Sequence, residues 1–256
     1  MIPQRVFDRL WLAFYKKYRY MKREGIFISP KVLKTPPSGR VLVLSPHLDD
    51  EMIACGGSLL KHRQQNDEIM VVFMTSDYHS NARMSALLVT ERRQKEAKGV
   101  MESMDIHHIR YLKSKDGALK PTDKNIDDLR NIIKEYRPSI VYHPWFMDNH
   151  LDHLATSEIL FNVSDTSSID YLCYGYGVWG IVIPNVIIDI SDVFDDKRRI
   201  LSLYASQIEK INYIRTMEGQ AMALTQMGMK GEGYAEGFMA LERKKYCQLM
   251  REVLSN

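Results

Sequence analysis

The sequence has 256 residues, 45% of them hydrophobic and 26% charged, with a formal net charge of +3 at pH 7. This length and apolar content suit one sizeable α/β domain. Three cysteines without a Cys-x-x-Cys pair indicate neither a disulfide framework nor a thiolate zinc site, and they predict a reducing, cytoplasmic setting. No apolar run reaches the roughly 18–20 residues that span a bilayer, so no membrane-spanning helix is predicted.

The N-terminal segment is the most basic part of the chain. Residues 5–23 contain seven Lys or Arg residues and one Asp, a net charge of +6. Apolar side chains recur there at helical spacing, at Phe7, Leu10, Trp11, Phe14 and Tyr18. We therefore predict an amphipathic helical extension over residues 1–30, ahead of one domain over residues 31–256.

Three roles for the segment 4–23 stay open. It could pack on the domain, pack on a second copy in a homo-oligomer, or lie peripherally on the anionic inner face of a membrane. The rest of the chain is slightly acidic overall. A nucleic-acid partner is therefore not predicted, since such a partner requires a basic surface.

From residue 41 onward, apolar runs alternate with amphipathic segments. The predicted strands are residues 41–44, 69–75, 109–112, 140–142 and 186–190. Residues 91–104 and 127–136 have helical spacing, 30–40 read as a linker, and 219–237 have no clear period. Alternation of strand and helix predicts a Rossmann-like α/β fold, with a mostly parallel sheet and helices on both faces in three layers.

A first polar cluster follows the predicted strand 41–44. His47, Asp49, Asp50 and Glu51 lie within five positions there. Carboxylates this close repel one another, and beside an apolar strand they are costly unless a cation or hydrogen-bond donors compensate. Ligands of open α/β sheets bind at the carboxyl ends of strands. The cluster therefore predicts a divalent metal site.

A second polar cluster follows the predicted strand 140–142 and ends in Asp148-Asn149-His150-Leu151-Asp152-His153. A catalytic zinc ion typically takes three His or carboxylate ligands and leaves one position for water. His47, Asp50 and His153 supply such a set from two strand ends.

The remaining polar residues of both clusters suit catalytic roles. Asp49 is free to act as a general base on a water molecule. His150 could stabilise an oxyanion or protonate a leaving amine. Asp148 and Asp152 are suited to orient that imidazole.

Two further hypotheses compete with a metal-dependent enzyme. The first is a metal-free module that binds a nucleotide or nucleotide sugar, but the sequence has no Gly-x-Gly-x-x-Gly turn after its first strand. The second is a scaffold without catalysis, which would be expected to lack a ligand or Asp49. His-x-Asp-Asp alone could also be a helix start favoured by the helix dipole. The second cluster favours the metal. The histidines predicted to be surface or loop residues are His62, His79, His107 and His108.

The motifs resemble those of the PIG-L/LmbE-like zinc N-deacetylases. The resemblance is based on Pro46-His47-Leu48-Asp49-Asp50-Glu51 with Gly56-Gly57, Arg93-Gln94-Lys95-Glu96-Ala97, Asp148-Asn149-His150-Leu151-Asp152-His153, and Asp189-Ile190-Ser191 with Lys197 and Ser206-Gln207. Two positions depart from the family pattern: Leu48 replaces a usual proline, and Tyr204 stands where a histidine often precedes Ser-Gln.

The resemblance implies one Zn²⁺ per chain, bound by His47, Asp50 and His153, with Asp49 as general base. It implies that His150 assists the tetrahedral intermediate. The implied substrate is an N-acetylated amino sugar of the N-acetylglucosamine type within a larger conjugate. Arg93, Asp148 and Tyr78 are the predicted substrate contacts. Further candidates for a sugar-facing aromatic surface are Trp145, Phe146, Tyr174, Tyr176 and Trp179.

Overall fold

The fold is described from a computed structural model, which covers residues 29–77 and 83–254. The predicted N-terminal helix over residues 4–23 and the predicted substrate contact Tyr78 lie outside these residues. The boundary between an extension over 1–30 and a domain over 31–256 therefore stays a prediction. No helix within the described ranges is long and apolar enough to cross a bilayer.

Eight strands form one sheet. They are β1 (Lys31–Leu33), β2 (Val41–Ser45), β3 (Ile69–Asp77), β4 (His108–Lys115), β5 (Ile140–Pro144), β6 (Leu172–Tyr176), β7 (Val186–Asp189) and β8 (Ala235–Glu242). Their order across the sheet is β1-β7-β8-β6-β5-β2-β3-β4. All neighbours are parallel except β8, which runs antiparallel to β6 and β7. The predicted mostly parallel sheet is confirmed.

Helices cover both faces of the sheet. They are α1 (Asp50–Gln64), α2 (Arg83–Ser103), α3 (Asp123–Tyr136), α4 (Leu151–Asp165), α5 (Phe194–Leu201), α6 (Ala205–Ile208), α7 (Tyr213–Leu224) and α8 (Arg243–Leu254), with a 3₁₀ turn at Thr225–Met227. Because successive strand side chains point to opposite faces, Val43 packs with Met52 of α1, whereas Leu44 packs with Ile159 of α4. One apolar cluster lies on each face of the sheet, so the sheet is the middle of three layers.

Three strands of the structure, β1, β6 and β8, were not among the predicted strands. β1 lies in the segment 30–40 that was assigned as a linker, and β8 begins inside the Gly-rich and Met-rich segment 219–237. β8 bridges β6 and β7, so it joins β1 and β7 to the rest of the sheet. Its first residues alternate poorly in hydrophobicity because Glu236 is buried there, at 3% exposure. A search for alternating apolar residues therefore does not identify this segment as a strand.

Candidate active site

The two polar clusters meet because β2 and β5 are parallel neighbours. Val43 pairs with Tyr142, so both strands end at the same edge of the sheet. His47 follows β2, and His153 lies in the first turn of α4, after β5. The structure places the centroids of these two imidazole rings 5.3 Å apart.

Asp50 lies between the two imidazoles. Its Oδ2 atom is 3.0 Å from Nδ1 of His47 and 3.1 Å from Nε2 of His153. All three residues are buried, with exposures of 7% or less. Ligand atoms that share one tetrahedral zinc ion are about 3.3 Å apart when each metal–ligand bond is about 2.0–2.1 Å long. The distances from Asp50 to the two imidazoles therefore fit ligands that share a single ion.

Each imidazole has a second carboxylate on its other side. Nδ1 of His153 is 3.3 Å from Oδ2 of Asp148, and Nε2 of His47 is 3.1 Å from Oδ2 of Asp152. Histidines that bind metal commonly direct their other ring nitrogen to a carboxylate in this way. Within the described ranges, neither ring nitrogen of His153 makes a hydrogen bond of acceptable geometry, although both are buried. These orphaned nitrogens fit a divalent cation.

Two groupings of side chains in the described parts of the chain bring possible metal-ligating atoms within 4.8 Å of one another. They are His47 with His150 and His153, and His47 with Asp116 and Asp152. Both include His47, but Asp116 and Asp152 lie at its Nε2 atom, on the other side of the ring from Asp50 at Nδ1.

The electrostatics of the site favour positive charge. Burial opposes ionisation of Asp50, but the charges of His153 and His47 outweigh it and hold the pKa of that carboxyl well below its usual range. Burial also opposes protonation of His153, but the Asp50 and Asp148 carboxylates outweigh it and raise the pKa of His153 to about 9. A bound cation would supply the positive charge that these carboxylates otherwise draw from protonated imidazoles.

Asp49 is placed differently from Asp50. Its backbone carbonyl accepts hydrogen bonds from the amides of Met52 and Ile53, both at 3.0 Å, at the start of α1. Its carboxylate makes no hydrogen bond or ion pair with any residue in the described ranges. Burial, together with the negative charge of Asp50, raises the pKa of Asp49 to about 7. A buried carboxylate that bonds to no side chain in the described ranges is available to exchange a proton with a bound molecule.

His150 is the N-cap residue of α4. Its Nδ1 atom accepts the backbone N–H of Asp152 at 3.2 Å. The proton of the neutral ring therefore lies on Nε2. Burial, followed by the charges of His47 and His153, lowers the pKa of His150. Of the two predicted roles, this arrangement favours a neutral hydrogen-bond donor over a protonated acid.

The structure gives Asp148 and Asp152 contacts other than those predicted. The Asp148 side chain is fully buried, and its Oδ2 atom accepts the backbone N–H groups of Val178 and Trp179. Its predicted contact with substrate stays a prediction. The Asp152 carboxylate orients His47 instead of His150, because backbone N–H groups of Gly117 and Leu119 hold it on the far side, at 2.7 and 3.0 Å.

Asp116 is a site residue that the sequence analysis missed. Its Oδ1 atom is 3.3 Å from Nε2 of His47, and its Oδ2 atom accepts a hydrogen bond from Nη1 of Arg93 at 2.8 Å. Arg93 is thus brought to the site, at 7% exposure. Asp116 follows β4, which extends three residues beyond its predicted end at Leu112. Extending that strand would have placed Asp116 at the ligand-binding edge.

An aromatic pair borders the site beside His150. The Trp179 ring centroid is 6.2 Å from that of His150 and 6.2 Å from that of Tyr213, which it meets edge-on. Trp179 is 43% exposed. The other described aromatic candidates are buried and form part of the core: Trp145, Phe146, Tyr174 and Tyr176. Trp179 is therefore the candidate whose ring is accessible to a ligand.

Residues 42–164 match the PIG-L family, described as GlcNAc-PI de-N-acetylase. The chain is 28% identical over 222 residues to a diacetylchitobiose deacetylase of Thermococcus kodakarensis, covering 77% of this chain and 81% of that protein. It also resembles the structure of N,N'-diacetylchitobiose deacetylase from Pyrococcus horikoshii, with a TM-score of 0.70, 21% identity and 94% coverage of each chain.

The same fold also occurs in a protein with another reaction. GalB, the 4-carboxy-2-hydroxymuconate hydratase of Pseudomonas putida, matches with a TM-score of 0.64 and 16% identity, covering 79% of this chain and 96% of that one. Structural likeness at such identities shows the fold alone. The reaction must therefore be inferred from the site.

Proposed function

We propose that this chain, whose residues 42–164 match the PIG-L family, is a zinc-dependent hydrolase that removes the N-acetyl group from an N-acetylated amino sugar. One observation carries the proposal: the Asp49 carboxylate, which has no hydrogen bond or ion pair within the described ranges, lies in the electrostatic field of His47, Asp50 and His153 at one edge of the sheet. A metal-free nucleotide-sugar module or a non-catalytic scaffold would not need this combination.

The donor set gives each residue a place in amide hydrolysis. Zinc held by His47, Asp50 and His153 would act as a Lewis acid towards water and the acetyl carbonyl. The Asp49 carboxylate accepts a proton from the attacking water and returns it to the amine that leaves. The Nε2–H of His150 donates a hydrogen bond to the carbonyl oxygen as negative charge develops on it.

The surroundings of the site support an amino-sugar substrate. Arg93 and Asp116 present paired polar groups beside His47, which suit sugar hydroxyl groups. Trp179 and Tyr213 offer aromatic surfaces next to His150. We propose N-acetylglucosamine within a larger conjugate as the substrate class, in line with the diacetylchitobiose deacetylase relative.

The proposal is tested by measuring metal content and acetate release together. The chain is purified without added zinc, and its metal is quantified. It is then offered N-acetylglucosamine, diacetylchitobiose and an N-acetylglucosaminyl glycoside, with N-acetyl-lysine as a non-sugar amide. We expect about one zinc per chain and acetate release from sugars only. A zinc-loaded chain that releases no acetate from any sugar would contradict the proposal.

Trp179→Ala is expected to weaken substrate binding more than catalysis. The indole touches the substrate away from the reacting bond, so its loss should raise KM with little change in kcat. Aromatic contacts contribute about 0.5–1.5 kcal/mol, so the rise should be roughly 2- to 10-fold. The measurement is steady-state acetate release from the best sugar substrate.

Ile181→Ala is the matched control, because Ile181 belongs to the same loop and is 81% exposed. It should leave both constants unchanged. A fall in kcat without a rise in KM for Trp179→Ala would show that the indole is not a substrate contact.

The basic segment over residues 4–23 lies outside the described residues, so its contact with an anionic membrane stays a proposal, as does cytoplasmic location. If the segment binds such a surface, each Lys or Arg near the lipid contributes about 1 kcal/mol, and binding weakens with salt. Vesicle co-sedimentation of the full chain and of a chain beginning at Lys31 tests this. Equal, negligible sedimentation of both would remove the membrane role.

A further inference from the structure

A buried ion pair lies outside the chemistry proposed above. Lys197 of α5 and Glu236 of β8 are 1% and 3% exposed, and Nζ of the lysine is 2.7 Å from Oε1 of the glutamate. Burial of a charged pair is seldom favourable for stability alone. The contacts of Lys197 and Glu236 therefore indicate what other role the pair has.

Both members of the pair bind the backbone of α1. Nζ of Lys197 donates to the carbonyl of Ile53 at 2.9 Å, and the N–H of Gly57 donates to Oε1 of Glu236 at 2.7 Å. In a regular helix, the N–H of residue 57 and the carbonyl of residue 53 pair with each other. The ion pair thus bonds to the carbonyl of Ile53 and the N–H of Gly57, the two groups that pair with each other in a regular helix. Ser58 adds its N–H and hydroxyl to Oε2 of Glu236, at 2.7 and 2.6 Å.

Gly57 allows α1 to approach the rest of the domain closely at this step. A Cβ atom on Gly57 would lie 2.8–2.9 Å from three side-chain atoms of Ile190. At the neighbouring Gly56, a Cβ atom would lie 2.7 Å from Cε of Met52 in the same helix and 3.5 Å from Cε of Lys197. Neither glycine has a side chain that could pack here. Polar contacts from Lys197 and Glu236 therefore have a larger share in setting the position of α1.

The same helix begins with the site residues. The carbonyl of Ile53 accepts from Lys197, and the N–H of Ile53 donates to the carbonyl of Asp49 at 3.0 Å. One residue thus connects the ion pair to the helix start. We propose that Lys197 and Glu236 are positioning residues that hold the first turn of α1 where Asp49 and Asp50 face His153. This inference rests on the proposed function in one respect, because zinc affinity is the quantity that its experiment measures.

The test is the double variant Lys197→Met with Glu236→Gln, which removes both charges together and leaves no lone buried charge. Zinc affinity is measured on the metal-depleted full chain by competition with a chelating dye. Loss of groups that orient metal ligands typically costs about 10- to 100-fold in affinity, and we expect a loss in this range. In the zinc-loaded variant, kcat should fall while KM is unchanged, because substrate contacts are untouched.

Lys61→Met is the matched control. Lys61 also lies on α1, and its Nζ atom binds Asp192 at 2.6 Å. Among the described residues, its side chain makes no hydrogen bond to the backbone of α1. This variant should keep wild-type zinc affinity. An equal loss in Lys61→Met would show general loosening of α1 and overturn the proposal. Wild-type affinity in a double variant with native circular dichroism would overturn it too.

Ser58→Ala decides the question if the double variant does not fold. Removing the hydroxyl donor to Glu236 is expected to weaken zinc binding about 3-fold, in proportion to one hydrogen bond. Unchanged affinity in this variant would contradict the proposal. A wild-type chain that binds no zinc would contradict the proposed function, and this inference with it, whereas the outcomes above bear on the ion pair alone.

Discussion

Asp49→Asn is expected to lower turnover about 100- to 10,000-fold, the usual contribution of a general base, while zinc stays bound. The amide of asparagine cannot accept the proton of the attacking water. Zinc should remain because the atoms next to the imidazoles belong to Asp50, and the Asp49 carboxylate has no partner in the described parts of the chain. The measurement is acetate release by the variant at verified zinc occupancy.

Asp50→Asn is the natural contrast, since it makes the same change at the adjacent residue. It should lose zinc affinity, because a neutral amide is a poorer zinc ligand than a carboxylate. Near-normal acetate release from zinc-loaded Asp49→Asn would remove Asp49 as the base. Loss of zinc from both variants alike would instead make Asp49 part of the metal site.

His153→Ala is expected to reduce zinc affinity by more than about 100-fold. Loss of a partner that merely orients a ligand typically costs about 10- to 100-fold, and loss of the ligand itself should cost more. The structural reason is that Nε2 of His153 faces Asp50 and has no hydrogen bond within the described ranges. Chelator competition on the metal-depleted chain measures the change.

His143→Ala controls for the removal of a buried imidazole. His143 is 0% exposed, like His153, but its Nδ1 atom bonds to the carbonyl of Pro144 and its ring packs on Tyr246. Its loss should lower stability without lowering the zinc affinity of the folded protein. Full zinc occupancy in His153→Ala at low micromolar zinc would exclude His153 as a ligand.

Much of the sheet could be predicted because the buried parallel strands are short apolar runs. Residues 41–44 and 140–142 are of this kind, and both are strands in the structure. β8 could not be predicted, because it carries Glu236, a buried charge that is compensated by Lys197, Gly57 and Ser58. A strand of this kind is recognisable only once its distant partners are known.

The fate of His62 shows the same limit. It was predicted to be a surface or loop residue, but it is fully buried, with Nδ1 2.7 Å from Asp67 and Nε2 3.0 Å from the hydroxyl of Tyr142. The residues around position 62 do not indicate that its ring bonds to Tyr142, which is 80 residues away in the sequence. Polar residues enter a core when distant groups satisfy them, and that information is not contained in local spacing.

The sequence by itself determined that His47, Asp50 and His153 would lie at strand ends, because polar clusters follow directly after apolar runs there. It also determined the layered α/β class, since strand and helix periods alternate along the chain. Only the tertiary structure decided the partners. It moved Asp148 and Asp152 behind the imidazoles, brought Asp116 to His47, and set the Lys197–Glu236 pair into α1. The reason is physical: burial and hydrogen bonding depend on groups that are distant in sequence, and packing alone brings them together.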